Sequence, residues 1–288
     1  MTSQQSETVA GSVSDWVSDW AASVHPIDAT RPHQTRVWNY LARGKDNYPV
    51  DRELAELLLQ QHPEFADNAA HRLAFRARAT RHLAQQGLDQ FLVIGTDLPL
   101  ENLEDEVHEI AERVTPGARV VYADTDPLVL AHARALLTGP EDLVGHVEGD
   151  LHDPDCLLIR AASVLDLESP VGVLLSNTLD LLSDQDAASA LQCLADIVAA
   201  GSRFAVSYLT GEVNPEPMRR VAEVQREHDL PLELRDAADI TRLLASLRLT
   251  GPAPMPCSWW HPGEPSWPGR DADPAVDAWC VVAVKDPP

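Results

Sequence analysis

The sequence predicts an α/β fold built on a mostly parallel sheet, and three observations carry that prediction. Short apolar runs recur in FLVIGTD (residues 91–97), VVYADTD (120–126) and HVEGDL (146–151), and unbroken apolar runs of this length read as strands buried on both faces. From residue 90 onward such runs alternate with helical stretches, the pattern of a parallel sheet with crossover helices. The first three runs also finish on a small or acidic residue: Gly95, Asp124 and Asp150. Ligands on parallel sheets sit outside the carboxyl ends of the strands, so all three ends are expected to face one ligand.

Taken in order, residues 1–12 are rich in Ser, Thr and Gln and are expected to be disordered. Residues 13–24 place Trp16, Val17 and Trp20 at helical spacing, which suits a short helix packed on its own domain or on a partner. Residues 34–88 read as helical, with breaks at Gly44, Pro49 and Pro63 and a stop at Gly87. Val37, Tyr40 and Leu41 form one apolar face, Leu54, Leu57 and Leu58 another, and Leu73, Ala77 and Leu83 a third. The chain therefore divides into a tail (1–12), a helical lid segment (13–88) and an α/β domain (89–288). Within that domain strands are expected near 90–95, 118–123, 143–148, 171–176 and 203–208, with helices near 101–114, 127–138, 154–165 and 184–199. Two more helices follow in 215–249, then a loop dense in Pro and Trp, then a last strand at 278–284.

Composition limits the partners. The chain has 288 residues, 44% of them hydrophobic, enough for a full core. Its net charge of −23 opposes nucleic acid and anionic membranes, because affinity for both comes largely from cationic groups. Cys156, Cys193, Cys257 and Cys280 contain no CxxC pair, and no histidines have ligand spacing, so neither a metal site nor a redox motif is expected. The N-terminus lacks a cationic stretch before an apolar core, and no run approaches the ~18 apolar residues of a membrane span. A cytoplasmic location is the simplest expectation.

The chemistry follows from the strand ends. A glycine turn after the first strand lets backbone approach a polar tail, a carboxylate after the second accepts from ribose hydroxyls, and a third accepts from an adenine amino group. That set suggests S-adenosylmethionine (SAM). A dinucleotide fold would need GxGxxG where this chain has GTDLPL. Asp124 has a rival reading as the cap of a helix starting at Pro127, which Asp126 fits better, and Asp150 could serve only its local turn. Asp97 puts a carboxylate in the first loop, where it could narrow the site or repel the methionine carboxylate; if it obstructs, Asp97→Gly should tighten SAM binding. Among Arg72, Arg76, Arg78 and Arg81 on one helix, Arg72 is the candidate to pair with a carboxylate, while a solvated face is the plainer reading of the others. Because SAM chemistry needs mainly alignment, with a base only for hydroxyl or protonated amine acceptors, sequence seldom names the acceptor.

RVWNYLARGKDNYPVD (residues 36–51) resembles the opening signature of a bacterial family of class I SAM-dependent methyltransferases. The similarity continues through HRLAFRARATRHLAQQGLDQFLVIGTDLP, RVVYADTDPLVLAHARALL and VEGDLHDP, covering roughly residues 27–209. It implies a Rossmann-like, mostly parallel seven-stranded sheet with an N-terminal helical lid. It also implies that Gly95 and Thr96 line the SAM tail, Asp124 with Thr125 the ribose, and Asp150 with Leu151 the adenine. Tyr40, Gly44, Lys45, Asp46 and Asn47 would form the lid over the site, against a plainer reading as helix termination and capping. Relatives usually read D-I-G-T-G-L-P where this chain has Val93 and Asp97, and they carry Asn where His71 stands before Arg72. This chain also has about three extra residues after Pro99, and Thr178, Leu179 and Asp180 after the fourth strand.

The expected function is therefore SAM-dependent methylation of a small molecule, with Asp180 as an acceptor-side base and Tyr208 as a second candidate that orients the acceptor. Trp259 and Trp260 could wall the acceptor or pack against the sheet edge. The alternative is a methyltransferase fold that has lost transfer chemistry and serves as a binding subunit or a non-methylating biosynthetic enzyme. Oligomeric state is not readable from the sequence.

Overall fold

β1 (Gln90–Ile94) is buried along its whole length, and its side chains divide between two apolar clusters. Phe91 and Val93 enter one, Leu92 and Ile94 the other. The period-two alternation of a strand covered on both faces requires this division. The computed structural model describes residues 28–100, 103–140, 142–176, 178–251, 254–263 and 275–287, so the expected tail and the helix around Trp16 and Trp20 lie outside the described residues.

β2 (Arg119–Asp124), β3 (Val144–Glu148), β4 (Gly172–Ser176) and β5 (Arg203–Leu209) lie parallel to β1. β8 (Ala278–Val284) runs antiparallel to β5 over its full length. β6 (Arg248–Leu249) and β7 (Met255–Pro256) pair with successive parts of β8. The order is β3-β2-β1-β4-β5-β8-β6, with β7 also beside β8. The sheet thus has seven lanes, the outermost shared by two short strands. Neither was foreseen, because the sequence reads as a helix end at 248–249 and as loop at 255–256.

Nine helices are seen among the described residues: α1 (Gln34–Leu41), α2 (Pro49–Gln61), α3 (Asp67–Gln85), α4 (Val107–Val114), α5 (Pro127–Leu136), α6 (Pro154–Ala161), α7 (Asp184–Ile197), α8 (Pro215–Glu227) and α9 (Ala237–Leu243). Proline opens α2, α5, α6 and α8, where its missing N–H is no loss. α4 is shorter than expected because a separate 3-10 turn, Leu103–Asp105, precedes it. α3 is a core helix: Phe75, Ala79 and Leu83 are buried in the same cluster as Phe91 and Val93. Among the described residues of the helical segment, His33, Gln34, Thr35 and Trp38 stand over the strand ends. No described helix is long and apolar enough to cross a membrane.

A buried polar knot ties the helical segment to the far side of the sheet. His62, just after α2, places Nε2 2.8 Å from Asp277 Oδ2, and Asn214 donates its backbone N–H to Oδ1 and its side-chain amide to Oδ2, each at 3.0 Å. One residue on, the Ala278 N–H donates to Asn68 Oδ1 of α3 at 2.7 Å. Removing the carboxylate leaves the buried His62 and the half-buried Asn214 donors without an acceptor, so Asp277→Ala should cost about 2–4 kcal/mol. At roughly 2–4 °C per kcal/mol for a chain of this size, thermal denaturation should show a clearly lowered Tm; an unchanged Tm would remove the knot from the account of stability.

Candidate active site

A cavity of about 270 Å³ opens across the carboxyl ends of the parallel strands. Its floor follows the sheet order: Asp150 and Leu151 after β3, Asp124 and Thr125 at β2, Gly95 after β1, then Ser176 and Thr178 at β4. Leu181 and Leu182 after β4 and Leu230 and Pro231 after α8 form one side, while His33, Gln34, Thr35 and Trp38 of α1 and its approach form the roof.

Gly95 makes the opening possible. Its φ of +79° is a left-handed conformation, and a Cβ there would lie 2.4 Å from the Ser176 carbonyl oxygen and 2.5 Å from Thr178 Cγ2. Only glycine fits both constraints. Thr96 is buried and donates its hydroxyl to Ala123 O at 3.2 Å, so it fastens the loop to β2 and is not a cavity wall.

Asp126 caps α5 by accepting the Leu128 N–H at 2.7 Å. That leaves Asp124 out of the capping role; its Oδ1 accepts the Asp126 N–H at 2.9 Å. Burial drives the Asp124 carboxyl up to about 8, against the opposing effect of the backbone N–H groups of Asp126 and Thr125. Asp150 has both roles weighed for it: it lines the cavity, and it accepts the His152 N–H at 2.9 Å within its own turn.

The roof is held by a clasp. His33 Nδ1 lies 3.1 Å from Asp126 Oδ2, and Arg36 Nε lies 3.4 Å from Asp51 and 3.7 Å from Asp126. Burial lowers the His33 imidazole below its ordinary range while Asp126 pulls the other way. The sequence reading missed these residues, although Gln34 and Trp38, one helical turn apart on α1, were a signal for one covered face.

The GKDNY block is placed differently from expectation. Gly44, Lys45, Asp46 and Asn47 form the turn between α1 and α2, and neither they nor Tyr40 line the cavity. Asn39 organises that turn: its Oδ1 accepts the Asp46 N–H at 3.0 Å and the Asn47 amide at 2.9 Å, and a Cβ on Gly44 would overlap it at 2.3 Å. Tyr40 instead points its hydroxyl to Glu56, at 3.2 Å. Polar density here serves the helix connection.

Asp180 and Tyr208 are set back from the cavity as well. Asp180 is 1% exposed, and both its oxygens accept the Leu209 N–H at 3.2 Å, which clamps the turn after β4 to the end of β5. Burial pushes its carboxyl up to about 7. Tyr208 is buried with its hydroxyl unpartnered, and burial raises its phenol far above the ordinary range. Neither residue lines the cavity. Trp260 packs edge-on against Phe75 at 5.1 Å, so of the two tryptophan readings packing is the one seen.

Asp97 turns away from the cavity. Arg72 donates to one of its oxygens at 3.0 Å and Arg76 to the other at 2.9 Å, while Arg76 also reaches Glu106 at 3.1 Å. The expected obstruction is therefore replaced by a buried ladder of alternating charge. Arg72 is 2% exposed, its guanidinium lies 4.6 Å from the Trp38 ring centroid, and its Nε and Nη1 have no hydrogen-bond partner. A buried cation with spare donors suits the carboxylate of a methionine tail, and Asp124 suits ribose hydroxyls, so the residues present fit the nucleoside cofactor.

A family model described as S-adenosyl methyltransferase matches residues 20–286. The chain belongs to that family. Among solved structures, a DUF574 family protein from Streptomyces avermitilis is 31% identical, with a TM-score of 0.81 over 90% of this chain and 100% of its own. A Thermobifida fusca protein described as a candidate methyltransferase is 29% identical, with a TM-score of 0.81 over 92% of this chain and 100% of its own. No curated protein matches. The protein is thus a SAM-dependent methyltransferase with the Rossmann-like fold of its class.

Two measurements test the site of this methyltransferase. Gly95→Ala should disrupt the loop and weaken S-adenosylhomocysteine binding at least tenfold by calorimetry, because a Cβ meets backbone at 2.4 Å and the positive φ costs about 1–2 kcal/mol by itself. Asp124, with its folded value near 8 above the ordinary 3.8, holds a proton in the folded protein that the unfolded chain has lost, so ligand-free stability should fall as pH rises from about 4 to about 8. Asp124→Asn should flatten that slope in pH-dependent denaturation, leaving the part that Asp180, raised to about 7, contributes. Ribose hydroxyls favour the carboxylate form, so wild-type affinity for S-adenosylhomocysteine should rise toward pH 8 with proton release on binding.

Proposed function

We propose that this methyltransferase acts on a small-molecule acceptor, with the cofactor laid across the strand ends in sheet order. Asp150 and Leu151 take the adenine, Asp124 and Thr125 the ribose, and Gly95 gives the methionine tail room to reach Arg72. The observation that carries this reading is the buried Arg72 guanidinium beside the loop of Gly95, which donates to Asp97 through Nη2 and keeps Nε and Nη1 without hydrogen-bond partners. When bound, SAM supplies a methyl group on a cationic sulfur. This chain's own residues bind, orient and exclude water.

Within that reading the helical segment is the lid, and its working edge is the first turn of α1, where His33, Gln34, Thr35 and Trp38 roof the cavity. The block at residues 36–51 acts through the turn it builds: Arg36 and Asp51 clasp the roof to Asp126. Asp180 and Tyr208 are positioning residues, since Asp180 fixes the turn that presents Leu181 and Leu182. The modest size of the cavity and its mainly apolar acceptor side favour a small organic acceptor over a polymer.

Arg72→Met tests the assignment. Losing a charge-assisted contact of about 1.5–3 kcal/mol should weaken S-adenosylhomocysteine binding roughly 10- to 100-fold, while binding of 5′-methylthioadenosine, which lacks the amino acid, should change little. Equal loss for both ligands would remove Arg72 from the tail site. Asp97→Asn should also weaken S-adenosylhomocysteine, because Asp97 orients Arg72; tighter binding would restore the obstruction reading.

A further inference from the structure

We infer that the acceptor is a planar, apolar organic anion, a carboxylate, thiolate or acidic phenolate whose nucleophilic atom is already deprotonated at neutral pH. This rests on the cofactor placement proposed above. With the nucleoside over β3 and β2 and the tail at β1, the acceptor enters from the β4 side, where the cavity is walled by Leu181, Leu182, Leu230, Pro231 and Trp38. Arg235 holds that wall in place by donating to the carbonyl oxygens of Leu179 and Leu182, each at 2.6 Å. The slot is therefore a fixed apolar surface with an indole on it, suited to stacking a flat molecule.

Charge selects among flat molecules. Arg72 lies over the Trp38 ring, is not itself a cavity wall and has its charge paired with Asp97. It already occupies the indole π cloud, so Trp38 offers little to a second cation, and the sulfonium of the cofactor puts a positive charge at the same end of the cavity. An ammonium acceptor would meet that charge as well as the desolvation cost of an apolar wall. An anion meets the same desolvation cost, offset by attraction to the sulfonium. Thr178 supplies a hydroxyl at this end, buried and without a partner, that can donate to an anionic acceptor.

The titratable side chains in the described wall stand at the nucleoside half. His33 lies beside Asp126 at 3.1 Å and His152 beside Asp150 at 2.8 Å. Asp124 and Asp150 belong to the ribose and adenine positions, and Asp180 is clamped to the Leu209 N–H. An anionic acceptor suits this distribution because its lone pair forms the bond to the methyl carbon as the carbon–sulfur bond breaks, the pair returns to sulfur, both charges cancel and no proton has to leave. The apolar wall strips water from the nucleophile, which favours that exchange of charge for neutrality.

The test pairs matched aromatic compounds: carboxylates, thiols and nitrophenols against benzyl alcohols and benzylamines. Acceptor binding is read by calorimetry on the protein loaded with S-adenosylhomocysteine, and turnover by S-adenosylhomocysteine release from SAM. Anions are expected to bind and to be methylated, with a kcat that tracks the acceptor's own ionisation. Leu230→Ala should raise acceptor KM about tenfold and leave the S-adenosylhomocysteine Kd essentially unchanged. Preferred binding or turnover of alcohols or ammonium compounds would overturn the inference, as would an ionisation in kcat common to every acceptor and lost in His33→Asn. Tight S-adenosylhomocysteine binding with no anion bound or methylated overturns the acceptor class alone; failure to bind S-adenosylhomocysteine overturns the cofactor placement with it.

Discussion

Burying a carboxylate costs several kcal/mol unless cations or N–H groups meet both of its oxygens, and Asp97 meets that condition through Arg72 on one side and Arg76 on the other. Much of the site is arranged around this pairing. The two arginines stand one turn apart on α3, so a single core helix sets the spacing of both contacts. Their grip draws the loop after β1 toward α3, Gly95 provides the bend, and the side chain that would otherwise enter the cavity is taken behind it. Glu106 closes the far end of the ladder, which sets two acids against two bases.

Asp126 joins the roof to the floor. Its carboxylate caps α5 and faces His33 and Arg36, while its N–H donates to the carboxylate of Asp124. Asp124, the proposed ribose ligand, is therefore one hydrogen bond away from the group that holds the roof. In that proposal the ligand site and the roof share one set of polar contacts, which is the physical requirement for coupling them through a short path.

Much of the sheet was legible in the sequence because buried parallel strands must be apolar through their centres, and β1, β2 and β4 are, with polar residues only at their ends. The cap at Asp126 was legible too, since a carboxylate just before Pro127 has one favoured use. What stayed hidden depends on neighbours distant in the chain. β6 and β7 are two residues each and exist as strands only because β8 pairs with them. The GKDNY block looks the same in sequence whether its polar atoms meet a ligand or, as here, Asn39. Asp180 shows the same ambiguity: an acid at a strand mouth can face outward or turn back to a backbone N–H, and the choice is made by β5, which comes later. The roof residues escaped notice because nothing local marks His33 for burial; Asp126, far along the chain, supplies the reason.

The place of β8 bears on how the protein is made. β5 ends at Leu209, but its neighbour on the open side, β8, begins only at Ala278, after α8, α9, β6 and β7 have been added. Until then the nascent chain carries an uncovered strand edge bordered by Phe204 and Val206, a template for pairing with another polypeptide. Ribosome pausing between β5 and β8 would prolong that exposure, so codon choice across this stretch and chaperone access to it become determinants of yield that the finished molecule no longer displays.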